Sequence, residues 1–219
     1  VSGHTNKNMN GPIKNKGYWY YVENGLVVNK NTIVYFNGDW YYIHNGKLDK
    51  DYTGLVDYNG KTYYVVDGVV NHSCNGLTYI NGEWCYIVNG VLDTGYNNLI
   101  LYNGTWYYVE NGKINWHYTN LVQYYGTWYY VENGKINWNK NTLCQVNGHG
   151  TWYYVENGQI NWHYQGLVYC NKEWYYIKNG VHQTNYSSLV LYNGTWYYVK
   201  NGKIDWCYTN LVQYHGTWY

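Results

Sequence analysis

Arginine and alanine are absent from this chain of 219 residues, and proline and methionine occur once each. Without arginine, and with 14 lysines against 13 acidic residues, the chain lacks the cationic surface typical of nucleic-acid or anionic-membrane binding. Alanine is the strongest helix former, so its absence and the 25 glycines argue against a helical bundle. No run of about 18 apolar residues occurs. We therefore expect no nucleic-acid partner and no membrane insertion.

Cysteine is also scarce and is irregularly spaced. The five residues are Cys74, Cys85, Cys144, Cys170 and Cys207. Their odd number does not fit a closed disulfide framework, and no CxxC pair suggests a zinc site. We expect isolated, free thiols that behave as small apolar side chains.

Tyrosine, tryptophan and asparagine dominate what is present, with 34 Tyr and 13 Trp. A Trp-Tyr-Tyr element recurs, with spacings of 21, 22, 22, 22, 22, 24, 22, 22 and 22 residues. It begins at Trp19, Trp40, Thr62, Trp84, Trp106, Trp128, Trp152, Trp174, Trp196 and Trp218. Such a period is typical of a solenoid. The sequence predicts an all-β solenoid of about ten stacked hairpin repeats of about 22 residues over 17–219. We expect residues 1–16 to form a lead-in, the turn at 147–150 to be lengthened and the last repeat to be truncated.

One repeat shows the expected local structure. Trp106–Glu110 is predicted to be a strand, and Asn111-Gly112 is a strong signal for a type I′ hairpin turn. Lys113–Trp116 is expected to return antiparallel, and Leu121–Tyr124 to form a further short strand before a second turn. Tyr107, Val109, Ile114 and Trp116 then share one face, and Trp106, Tyr108 and Asn115 share the other. We expect one face to pack within the array and the other to be partly open.

Comparison of the repeats with one another separates core from surface. The Ile114 and Leu121 positions are aliphatic in nearly every copy, which predicts burial. The Trp116 position is Asn29, Lys50, His72, Thr94 or Thr184 elsewhere, which predicts exposure. The candidate ligand-binding residues are Trp116, Trp138, Trp162 and Trp206 at that position, Tyr107, Tyr129, Tyr153 and Tyr197 on the same face, and Trp106 and Trp128 of the Trp-Tyr-Tyr element.

No residue set indicates catalysis. The eight histidines occupy scattered positions. The glutamates beside the hairpin turns, such as Glu132 opposite Lys135, are predicted to form surface cross-strand pairs. The paired carboxylates of a glycosidase should be unique and not copied along an array. We expect no enzyme activity, no metal and no cofactor, and note that many similar sites suit multivalent binding.

The repeat resembles the cell-wall-binding repeats of Gram-positive bacteria. The resemblance lies in Gly126-x-Trp128-Tyr129-Tyr130, followed by the hairpin Gly134 and an aliphatic residue, and covers about 17–219. Related repeats include the choline-binding modules of streptococcal surface proteins and lysins, glucan-binding domains of glucosyltransferases, and receptor-binding repeats of clostridial toxins. The resemblance implies a β-solenoid on a secreted or cell-surface protein of a Gram-positive bacterium, with aromatic side chains holding ligands between repeats.

Two departures from choline-binding repeats bear on the ligand. Their cage includes a Trp that follows Gly, and Leu99, Leu121, Leu143 and Leu211 stand at that position here. The Met usual after the hairpin glycine is replaced by aliphatic residues such as Ile136. A quaternary ammonium group requires several aromatic faces, so the sequence favours glycan or cell-wall polymer binding over choline specificity.

Three functions fit the sequence. The first is binding of a polysaccharide or cell-wall glycopolymer by a non-catalytic module. The second is a structural spacer or self-associating surface protein, in which the aromatic residues serve packing. The third is a receptor-binding repeat region of a toxin.

Overall fold

The computed structural model describes residues 7–148 and 150–219, and the predicted all-β repeat fold is confirmed. Each of the first nine repeats contains a first strand, a central strand and a two-residue short strand, and the last repeat has only the first two. The first strands are Gly11–Asn15, Thr32–Phe36, Gly54–Tyr58, Gly76–Ile80, Asn98–Tyr102, Asn120–Tyr124, Thr142–Gln145, Gly166–Cys170, Ser188–Tyr192 and Gln213–Tyr214. The central strands are Tyr18–Glu23, Asp39–His44, Lys61–Val66, Glu83–Val88, Thr105–Glu110, Thr127–Glu132, Trp152–Glu156, Glu173–Lys178, Thr195–Lys200 and Thr217–Trp218. The short strands are Leu26–Val27, Lys47–Leu48, Val69–Val70, Val91–Leu92, Lys113–Ile114, Lys135–Ile136, Gln159–Ile160, Val181–His182 and Lys203–Ile204.

Some of the predicted segments fall partly outside the described residues. These are residues 1–6 of the lead-in, His4 among them, and His149 of the lengthened turn. Gly11–Asn15 falls within the predicted lead-in, but it pairs antiparallel with the central strand Tyr18–Glu23 and serves as the first strand of the first repeat. At the lengthened turn, Val146–Gly148 forms one 3₁₀ turn, and the Gln145 side chain donates a 2.7 Å hydrogen bond to the Gly150 carbonyl.

Both turns of each repeat depend on backbone with positive φ. The predicted hairpin turn has φ of 51° at Asn111 and 75° at Gly112, which is the type I′ geometry. Gly112 has a second role, because a Cβ atom there would lie 2.5 Å from the Asp93 carbonyl oxygen of the preceding repeat. The hairpin glycine therefore permits both the turn and the close approach of neighbouring repeats.

Hydrogen bonds between backbone groups join successive repeats. The Tyr108 N–H donates to the Gly134 carbonyl at 2.9 Å, and the Gly134 N–H donates to the Tyr118 carbonyl at 2.9 Å. From Lys47–Leu48 onwards, each short strand also pairs with the central strand of the repeat before it, as Gln159 does with Tyr129. A repeat is therefore completed by its neighbour, as in other solenoids.

The core is likewise shared between repeats. Leu121 and Tyr130 of one repeat pack with Val155 and Ile160 of the next, and all four are at most 8% exposed. Burial at the Ile114 and Leu121 positions is confirmed in most interior repeats. It was wrong at Val27, which is 55% exposed, and at Leu211, which is 70% exposed. These residues lie in the first and last repeats, where the described chain has no further repeat to cover them.

The sequence did not assign which face of the repeat packs, and the structure partly covers the face that carries Trp106 and Tyr108. Trp106 is half-buried, but Tyr108 is only 9% exposed because its ring stacks on that of Tyr118 at a centroid distance of 3.8 Å. Tyr118 belongs to the connector between repeats. The connector thus folds over this face of the repeat.

Internal contacts divide the chain into two compact units. The first contains the residues up to Asn97 together with Val109–Ile114, and the second contains Asn98–Tyr108 together with Asn115–Tyr219. Every cluster, groove and site described below lies within one of these units. The described residues include no helix of the length and apolarity needed to cross a membrane.

Candidate ligand-binding site

The Trp116 position is exposed in every repeat, as predicted. Trp116, Trp138, Trp162 and Trp206 are 42%, 44%, 43% and 68% exposed. The residues that replace them elsewhere are also exposed, and these are Asn29, Lys50, His72, Thr94 and Thr184. Each tryptophan therefore presents much of its indole to solvent.

A local turn places these tryptophans on the surface. The return strand was predicted to continue to Trp116, but pairing ends at Ile114. The Asn115 side-chain oxygen accepts a 2.9 Å hydrogen bond from the His117 N–H, which closes an Asx turn and leads the chain away from the sheet. Asn137 and Asn161 do the same at 3.0 Å before Trp138 and Trp162.

Each exposed tryptophan meets the tyrosine predicted to share its face. We call these four pairs the aromatic corners. Ring centroids are 5.8, 5.9, 5.6 and 5.9 Å apart, with interplanar angles of 85°, 87°, 74° and 82°, in Tyr107–Trp116, Tyr129–Trp138, Tyr153–Trp162 and Tyr197–Trp206. This edge-to-face geometry is a favourable one for aromatic pairs. It holds two rings nearly perpendicular at an exposed position.

The following repeat supplies a third side chain to three of these corners. Lys135 pairs with Tyr107, Gln159 with Tyr129 and Val181 with Tyr153. The Lys135 ammonium nitrogen lies 5.5 Å from the centroids of both Tyr107 and Trp116. The same aromatic geometry is thus combined with a cation, an amide and an aliphatic side chain.

Trp106 and Trp128, the remaining predicted site residues, make different contacts. The ring centroids of Trp106 and of Tyr124 in the next repeat are 5.1 Å apart, and the two rings form a T-shaped pair. Trp128 packs against the core cluster that contains Leu121. Both are half-buried. Their contacts join repeats to one another, and they lie outside the aromatic corners.

Two grooves were not predicted from the sequence. One, of about 130 Å³, is lined by Trp19, Tyr41 and Lys50 among others. The other, of about 230 Å³, is lined by Trp152, Tyr175, His182, Thr184 and Lys203 among others. In both grooves the Trp116 position holds a smaller or more flexible side chain, Lys50 or Thr184.

The predicted ion pair between Glu132 and Lys135 does not form. The two residues lie opposite each other in register, but the Lys135 side chain lies over aromatic rings. Glu132 instead accepts a 2.8 Å bond from the Lys140 ammonium and a 2.6 Å bond from the Asn137 amide, which lower the pKa of its carboxyl. Lys113 likewise reaches Glu83 of the preceding repeat, at 2.5 Å. These exposed or half-exposed pairs contribute little stability.

Buried phenols give the chain a pH dependence. Desolvation raises the pKa of Tyr154 and Tyr164 from 10.0 to about 12. Because the folded chain favours the neutral phenol, this stabilisation is complete below pH about 10 and is lost as the pH rises towards 12. We expect Tyr154→Phe, which removes one such group, to shift alkaline unfolding to higher pH in a circular-dichroism titration. Identical midpoints for the variant and the parent chain would contradict this explanation.

The described residues contain no group of three histidine, cysteine or acidic side chains able to hold a metal ion. All five cysteines carry free thiols. His117 and His163 are exposed in connectors, as predicted. The site is therefore defined by rings and hydrogen-bonding groups on repeated turns.

Stacked β-hairpins with an aromatic pair at one fixed position in four repeats define a protein built from short β-hairpin repeats. The model of the choline-binding repeat family matches eight segments, which are residues 8–28, 29–49, 51–71, 95–115, 118–137, 139–161, 164–183 and 185–205. These segments cover most of the chain. The chain therefore belongs to the choline-binding repeat family.

Three solved structures of similar proteins are from Streptococcus pneumoniae. CbpJ is 20% identical, with 96% of this chain and 85% of that chain covered and a TM-score of 0.34. Choline binding protein F, solved in the presence of a peptidoglycan analogue, is 21% identical, with 96% of this chain and 83% of that chain covered and a TM-score of 0.33. The modular autolysin LytC is 15% identical, with 95% of this chain and 50% of that chain covered and a TM-score of 0.33. A comparison with curated proteins found no match.

Proposed function

We propose that this chain is a non-catalytic binding module of a secreted or surface protein, and that it attaches to a cell-wall glycopolymer of a Gram-positive bacterium. The observation that carries this proposal is the repetition of one aromatic corner. The four corners share the same edge-to-face geometry, and their tryptophans are 42–68% exposed. Membership of the choline-binding repeat family supports a wall-binding role.

The chemistry of the corners suits a sugar polymer. Indole and phenol rings combine an apolar face, which packs on the C–H groups of a pyranose, with a polar group that can hydrogen-bond its hydroxyls. Leu121, which stands where choline-binding repeats have a cage tryptophan, is 2% exposed and belongs to the core. The exposed rings therefore lie at a different repeat position.

Repetition favours a polymer over a small ligand. Three of the corners, those with Trp116, Trp138 and Trp162, occupy consecutive repeats. Once one corner holds a polymer, the others bind it at a high effective concentration, so weak sites produce strong attachment together. A short oligosaccharide cannot gain from this effect.

Cosedimentation with purified Gram-positive cell walls tests the proposal. We expect the chain to sediment with the walls, and a wall polysaccharide to compete at far lower concentration than its disaccharide unit. Free choline serves as a second competitor, since release by choline would assign binding to choline substituents and not to sugar rings. Failure to sediment with walls would contradict the proposal, and concentration-dependent self-association of the chain alone would favour the structural alternative.

A further inference from the structure

The three corners that face a following repeat differ in the side chain that this repeat places opposite their tyrosine. Their ring pairs have similar geometry, with centroid distances of 5.8, 5.9 and 5.6 Å and interplanar angles of 85°, 87° and 74°. Trp116, Trp138 and Trp162 are almost equally exposed, at 42%, 44% and 43%. The corners therefore expose similar ring pairs. The residue after the tryptophan is His117, Asn139 or His163, and it is exposed in each case. The residue that the following repeat pairs with the tyrosine is Lys135, Gln159 or Val181, and only the first of these is charged.

Lys135 places a positive charge over the rings of the first corner. Its ammonium nitrogen is 5.5 Å from both ring centroids, within the range of a cation–π interaction with each ring. No carboxylate in the described part of the chain lies within ion-pairing distance of it, and Glu132 opposite is bound to Lys140. The rings are thus the cation's electrostatic partners.

Lysines at the same hairpin position in other repeats also lie near rings. The ammonium groups of Lys47 and Lys203 lie 5.5 Å from the ring centroid of Tyr20 and 5.1 Å from that of Tyr175. Lys203 is ion-paired with Glu173 as well, whereas Lys47 and Lys135 form no ion pair in the described part of the chain. At the fourth lysine, Lys113, the paired residue is Cys85 instead of tyrosine, and the ammonium binds Glu83. Lys135 differs from the other three because it meets a tyrosine and a tryptophan together.

We propose that Lys135 is a specificity-determining residue, an internal cation that closes the Tyr107–Trp116 corner to a positively charged group of the ligand. The Tyr129–Trp138 and Tyr153–Trp162 corners face Gln159 and Val181 and accept such a group. The proposal rests on the proposed function in taking the corners as binding sites, and it adds which of them take a cationic substituent. A cation entering the first corner must displace Lys135 from both rings and is also repelled by its charge.

Reciprocal exchange of the hairpin residue tests this assignment. The probe is tetramethylammonium chloride, added to the full chain with sodium chloride as the ionic-strength control, and the indole N–H resonances are followed by NMR. Single Trp→Tyr variants assign the resonances of Trp116, Trp138 and Trp162. In the parent chain we expect Trp138 and Trp162 to shift with the probe and Trp116 to stay unchanged.

The variants should exchange these responses. K135Q should make Trp116 titrate like Trp138, and Q159K should weaken the response of Trp138 by about two- to fivefold, the factor that one exposed cation–π contact represents. K113Q is the matched control, because it removes the same charge from the same hairpin position where no ring is paired. It should leave all three responses unchanged.

Two results would overturn the inference. One is a parent chain in which Trp116 titrates like Trp138, and the other is a K135Q chain in which Trp116 still does not respond. The inference would also be overturned if none of the three indole resonances shifted with the probe in any variant. If the chain still sedimented with cell walls, the proposed function would remain intact. Conversely, titration of the corners as expected in a chain that does not bind walls would contradict the proposed function alone.

Discussion

Replacing Leu121 with alanine is expected to lower the free energy of unfolding by about 2–5 kcal/mol, the usual cost of truncating a buried leucine. Leu121 is 2% exposed and packs with Tyr130 of its own repeat and with Val155 and Ile160 of the next. The cavity would therefore loosen contacts across a repeat junction. Urea denaturation monitored by circular dichroism measures the change.

Leu211 provides the matched control for this experiment. It is the same residue type at the same repeat position, but it is 70% exposed. We expect Leu211→Ala to change stability by at most about 0.5 kcal/mol, as for a surface substitution. Equal losses in the two variants would show that burial by the neighbouring repeat does not determine stability at this position.

Hydrogen exchange should show how far the effect of Leu121→Ala extends. In a repeat array the contacts link nearest neighbours, so protection should fall most in the repeats that contain Leu121 and Val155. Exchange that rises equally at every repeat would instead indicate one cooperative unit and would contradict the nearest-neighbour description.

Replacing Trp116, Trp138, Trp162 and Trp206 together with alanine is expected to weaken attachment to cell walls at least about 100-fold, because linked weak sites lose their combined avidity. A single change such as Trp138→Ala should weaken it only modestly. The fold should survive each change, since Lys50, Thr94 and Thr184 occupy this position elsewhere. Each substitution removes one edge-to-face ring interaction, which contributes about 0.5–1.5 kcal/mol. Cosedimentation with cell walls measures the affinity, and thermal unfolding measures the stability of each variant.

Tyr125→Asn controls for the removal of an exposed ring outside the corners. Tyr125 is 91% exposed at the second turn, where other repeats have asparagine such as Asn103. Wall binding should be unchanged in this variant. Unchanged binding in the quadruple variant would move the site to the Trp106 side of the repeat. Strong destabilisation by Trp138→Ala alone would place these rings in a structural role.

The sequence by itself determined the repeat, its turns and the exposed position. Asn-Gly pairs can adopt positive φ at both turn residues, so the hairpins could be placed from the residue pattern alone. The exposure of Trp116 followed from the polar residues that replace it in other repeats, because a position that tolerates lysine is rarely buried. Pairing across the turn also identified Tyr107 as its neighbour, and the two rings are in contact.

Only the tertiary structure decided how neighbouring repeats complete one another. Val27 and Leu211 match core positions in sequence, yet both are exposed because burial at these positions requires an adjacent repeat. Tyr108 is covered by the connector tyrosine Tyr118, which local alternation could not place. The ring partners of Lys135 lie in the preceding repeat, so its expected pairing with Glu132 was wrong. Periodicity describes one repeat at a time, whereas burial and charge at these sites depend on contacts between repeats.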